Sequence, residues 1–85
     1  MEIHVYDTYV KAKNGDTMHF DVITGEKDHD KALTYGKEWL KSVGEENAEM
    51  TTNECQFCHS ANAPEPVEQA IKEKGYYIQK MENCP

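Results

Sequence analysis

Two cysteines and a histidine fall within five residues, Cys55-Gln56-Phe57-Cys58-His59, and a third cysteine, Cys84, stands next to the C-terminus. No other stretch is as rich in reactive side chains, and four uses compete for it. C-x-x-C-H is the attachment signature of c-type haem. That attachment follows export, and Met1–Asp7 carries no basic n-region, apolar core or small-residue cleavage site. A redox dithiol places its attacking thiolate at a helix N-terminus, whereas Cys55 precedes by several residues the prolines that open the next predicted helix. A C-x-x-C pair is also half of a tetrahedral zinc site. The plainest use is small thiols packing a long loop, with His59 hydrogen-bonded locally.

Three further groups could do chemistry. His19 and Asp21 are neighbours on one strand face, a spacing that suits acid–base work and equally suits a solvated sheet surface. Asp7 falls on the face read as apolar, which is unusual for a carboxylate; bonding to a buried backbone group or a place at the sheet edge explains it better than a catalytic role. His29 stands at a helix start and is expected to be exposed. There is no Gly-rich phosphate loop, Ser-centred nucleophile elbow or H-E-x-x-H.

The elements that must position these residues follow from the pattern. Residues 2–10 alternate β-branched and aromatic residues as a half-buried strand does. Asn14-Gly15 signals a two-residue hairpin turn, and residues 17–23 return. With that turn Tyr9 faces Phe20 and Asp7 faces Val22. Ile3, Val5, Tyr9, Met18, Phe20 and Val22 then form the core face, and His4, Tyr6, Thr8, Val10, His19, Asp21 and Ile23 the other. Asp28 is a good N-cap for a helix bearing Leu33, Gly36, Leu40 and Val43, with Ala32 and Trp39 flanking and Gly44 after its end. Residues 47–53 read as a third strand, with the Cys motif in the long loop after it. Pro64 and Pro66 open a second helix, with Val67, Ala70 and Ile71 as its apolar stripe and Gly75 after its end. Residues 76–81 are the last strand.

The predicted order is β-β-α-β-α-β, one domain over residues 1–85. Strand–helix–strand units default to right-handed crossovers and parallel pairing. The expected fold is therefore α/β of the α+β type: a four-stranded mixed sheet, both helices on one face, strand order 1-2-3-4 or 2-1-3-4. The open face would expose Tyr6, Val10 and Ile23, a modest apolar patch suited to weak homo-oligomers.

The charge bounds the partners. Nine lysines stand against sixteen carboxylates, with no arginine, for a net charge of −7. Arginine is the usual fork for phosphate and base edges, so nucleic acid and anionic membrane are disfavoured. No apolar run approaches the ~20 residues of a spanning helix, and a cytoplasmic location is expected. An odd cysteine count excludes a complete disulfide framework.

Several segments are also familiar together. His4-Val5-Tyr6-Asp7-Thr8-Tyr9-Val10, Met18-His19-Phe20-Asp21-Val22, Cys55-Gln56-Phe57-Cys58-His59-Ser60 and Gly75-Tyr76-Tyr77-Ile78 resemble those of a bacterial family of small proteins, domain of unknown function family 2024. The resemblance implies a four-stranded sheet with two helices on one side. It brings no activity and no catalytic residues.

With parallel strands, the ends of the third and fourth strands and the start of the first would share one sheet edge. Cys55, Cys58, Cys84 and either His59 or His4 would meet there, a three-sulfur, one-nitrogen set for structural zinc. The expected function is a binding or structural module rather than an enzyme, with thiol–disulfide exchange at Cys55 and Cys58 as the alternative.

Overall fold

Alternating β-branched and aromatic residues build a central hairpin from β1 (Glu2–Lys11) and β2 (Thr17–Thr24). It is followed by α1 (His29–Ser42), β3 (Cys55–Asn62), α2 (Glu65–Lys74) and β4 (Tyr76–Glu82). The computed structural model describes the whole chain, Met1–Pro85.

The hairpin turns through three residues, Lys13-Asn14-Gly15. Ala12 N–H donates to Asp16 O (2.7 Å) and Gly15 N–H to Ala12 O (3.0 Å), while the Asn14 side chain accepts from Asp16 N–H (3.0 Å). Gly15 takes φ +95°, the left-handed residue that closes such a loop. The closing pair is thus Ala12–Asp16, one position away from the pair a two-residue turn would close. Asp7 faces Asp21, Thr8 faces Phe20 and Tyr9 faces His19. Because strand side chains alternate with period two, this exchanges the expected faces of β1 relative to β2. Tyr6, Thr8 and Val10 join Met18, Phe20 and Val22 on one side, and all six are buried.

Helix α1 covers that side. Asp28 caps it by accepting from Lys31 N–H (3.1 Å), and its apolar stripe of Ala32, Trp39 and Leu40 enters the larger core cluster. Trp39 lies against Phe20, ring centroids 4.7 Å apart. Gly36 permits a close approach: a Cβ there would lie 3.4 Å from Val22 Cγ2 and would collide with Met50 Cε.

The sheet order is β3-β1-β2-β4, and every neighbouring pair is antiparallel. This corrects the expectation of a mixed sheet in either of the two orders. Helix α1 carries the chain past β1 to the far edge, so β3 runs parallel to β2 but never touches it. Helix α2 then spans one end of the sheet to reach the other edge. It opens at Pro64 and Pro66 and closes at Gly75. Its Val67 and Ile71 pack on Ile3, Val5, Ile23 and Tyr77, the side facing away from α1. The helices therefore lie on opposite faces rather than together. Tyr6, Val10 and Ile23, expected to form an exposed patch, are all buried in one core or the other.

The third strand is also displaced. Residues 47–53 form no strand; Met50 is buried under Gly36. The chain then folds into a polar turn in which Glu54 Oε1 accepts from Thr51 N–H (2.7 Å) and Thr51 Oγ1–H (2.8 Å). The Cys motif, expected in a loop, is itself the edge strand. Two bulges interrupt the ladders. Tyr6 pairs with Phe57 and Val5 with His59, leaving Cys58 as the extra residue; Phe20 pairs with Lys80 and His19 with Glu82, leaving Met81. No helix is long and apolar enough to cross a membrane.

Candidate functional site

Helix α2 covers only the Ile3–Val5–Ile23 end of its face. Past that end the same face continues as Asp7 and Tyr9 on β1 and His19 and Asp21 on β2. Asp7 and Asp21 are direct cross-strand partners, an arrangement of like charges that ordinarily destabilises a sheet. His19 answers it: its Nε2 lies 2.6 Å from Asp7 Oδ1. Tyr9, half exposed, stacks on the His19 ring at 4.1 Å with planes 10° apart, holding the imidazole flat over the strands. Ligand atoms of Asp7, His19 and Asp21 all lie within 4.8 Å of one another, and all three residues are partly buried.

Burial pushes the Asp21 carboxyl above the ordinary carboxylate range. Its hydrogen bond to Asp7 and the Asp7 charge push the same way, while His19 and His59 pull it back. A cation bound between the two carboxylates would offset the repulsion of their like charges. Bonds of ~2.0–2.2 Å from imidazole and carboxylate to zinc place neighbouring donor atoms roughly 3–3.5 Å apart, and the donor atoms here lie within 4.8 Å of one another.

The five residues expected to bind zinc do not converge. Cys55 is fully buried on the α1 side, opposite Thr8. Burial pushes its thiol above the ordinary value, with partial relief from the Thr8 hydroxyl, and the Cys55 carbonyl accepts from His29 Nε2. Cys58 is exposed on the bulge, its Sγ 3.3 Å from His59 Nδ1. Cys84 lies beyond β4, its Sγ 3.3 Å from His19 O; β1 and β2 separate β4 from β3, about 10–15 Å at the usual strand spacing. His4 Nδ1 is engaged by Ser60 Oγ at 2.7 Å. The shared edge expected for these groups required parallel strands. In an extended strand, Cys55 and Cys58 are also roughly 10 Å apart along the chain, too far for a disulfide or for one ion between them.

His29 is half buried rather than exposed, packed on Tyr6 with ring centroids 5.4 Å apart. Of the site itself, the sequence pattern identified His19 with Asp21 and set Asp7 on the wrong side. The misfit of a carboxylate among apolar residues was the available signal: moving the closing pair by one residue removes Asp7 from the core and joins it to the other two.

A family model described as "Domain of unknown function (DUF2024)" matches residues 1–81. The chain belongs to this family. It is 59% identical to a protein from Nitrosomonas europaea whose structure was determined by NMR as a structural-genomics target. That match covers all of both chains with a TM-score of 0.91, so the DUF2024 fold described above extends to a second member. No curated protein matches this chain.

Proposed function

We propose that the protein is a small binding module for a divalent first-row metal ion, held at Asp7, His19 and Asp21. The observation that carries this reading is the pairing of two carboxylates directly across the central hairpin, with an imidazole beside them, on the one part of that face α2 leaves open. A sheet tolerates such a pair at a cost, and locally unfavourable choices persist where a site needs them. Two oxygens and an imidazole nitrogen suit zinc and its neighbours better than calcium or magnesium, which favour all-oxygen sets. The metal of the sequence-based expectation is retained, with carboxylate ligands in place of thiolates. Thiol exchange draws no support from the strand placement of Cys55 and Cys58 or from the burial of Cys55.

Calorimetric titration of the metal-free protein with zinc tests this directly. Binding at one equivalent that is lost in Asp21→Asn and retained in Cys84→Ser supports the carboxylate site. Binding retained in Asp21→Asn but lost in Cys84→Ser returns the site to the thiols.

A further inference from the structure

The bulge in β3 gives the Cys-x-x-Cys-His motif a second meaning. Cys55 pairs with Thr8, Gln56 with Asp7 and Phe57 with Tyr6. In an unbroken ladder Cys58 would pair with Val5, and His59 would then face His4, on the α1 side. The extra residue at Cys58 shifts the register so that His59 stands opposite Val5. His59 therefore shares a face with Asp7, which lies two residues along β1 from Val5. Bulges commonly re-aim one side chain in this way beside a site.

Diagonal neighbours on adjacent strands have Cβ atoms ~7–8 Å apart or somewhat less, within reach of a long side chain. His59 is exposed. Its Nδ1 is engaged by Cys58 Sγ at 3.3 Å, and Nε2 has no partner within the chain. Where Nδ1–H donates to the Cys58 sulfur, the Nε2 lone pair is left for a metal, as in imidazole ligands whose other nitrogen donates to a neighbour.

We propose that His59 is the fourth protein ligand of the Asp7–His19–Asp21 site, swinging from β3 to complete a two-nitrogen, two-oxygen set. This rests on the metal-binding reading above and extends it to the residue that closes the site. Three ligands come from the rigid central hairpin and the fourth from an exposed edge strand, so the ion ties β3 to the hairpin.

Cobalt(II) titration followed by visible absorption tests it, since cobalt reports coordination number as well as affinity. Wild-type protein is expected to give the intense bands of a four-coordinate ion. In His59→Ala, water replaces the ring, the bands weaken, and affinity falls at least tenfold, because even outer-shell partners of a metal are worth ~10–100-fold. His4→Ala, at the other side of the sheet, is expected to match wild type. If wild type binds no cobalt, both the metal reading and this proposal are overturned. If His59→Ala binds with wild-type affinity and spectrum, the hairpin site stands and the proposal falls. Loss of binding in Cys58→Ala with retention in His59→Ala assigns the ligand to the thiol and also overturns it.

Discussion

Asp21 is a residue whose stability and function should pull in opposite directions. Its folded-state pKa is raised, chiefly by burial and then by Asp7. A raised carboxyl favours the protonated native state, so its stabilising effect is present below the unfolded-state pKa and lost as pH rises through the folded value. At neutral pH the ionised group works against the fold. In metal-free buffer, Asp21→Asn is therefore expected to melt at a higher temperature than wild type at pH 7, with the gap closing as pH falls into the carboxylate range. Thermal unfolding followed by circular dichroism at the two pH values checks this; a variant that melts lower at pH 7 contradicts the assignment. The residue that costs the empty fold stability is the same one whose loss should abolish metal binding.

At the scale of elements, the C-x-x-C motif behaves as its strand dictates. Successive side chains of β3 take different sides, and the bulge leaves Cys58 in solvent while Cys55 is sealed under α1. With iodoacetamide at neutral pH, Cys58 is expected to alkylate in the native protein and Cys55 only on unfolding, where burial no longer suppresses its thiolate. Peptide mass spectrometry distinguishes the two sites, and rapid labelling of native Cys55 would restore the redox reading. The strand itself was not legible in the sequence, because only Cys55 of its eight residues is buried and an edge strand without an apolar period gives no signal. The hairpin, both helices and β4 were legible from period and caps. Which faces met was not, since Asn14-Gly15 fits a two-residue and a three-residue loop equally, and only the sense of burial chooses between them.

For the molecule as a whole, two unequal cores sit on either side of one sheet. The larger joins Tyr6, Val10, Met18, Phe20, Val22, Trp39 and Leu40 among others; the smaller is Ile3, Val5, Ile23 and Val67. A chain of this size has a total stability of roughly 4–13 kcal/mol. Phe20 is fully buried against Trp39, and Phe20→Ala is expected to cost about 3–5 kcal/mol. Urea denaturation checks the figure, and a loss below ~1 kcal/mol would mean that the larger core does not hold the fold as described.

The two bulges carry a consequence for crowded solutions. Both outer strands, β3 and β4, leave one row of backbone donors and acceptors open, the geometry by which sheets recruit further strands from other copies and grow into fibres. Each of these strands is broken by a bulge, at Cys58 and at Met81, which bends the strand and throws its free edge out of step. A second copy sliding alongside finds no long, flat ladder to join. The same single inserted residue that sets His59 on the face of the acidic pair thus also helps to keep the chain from polymerising through its edge.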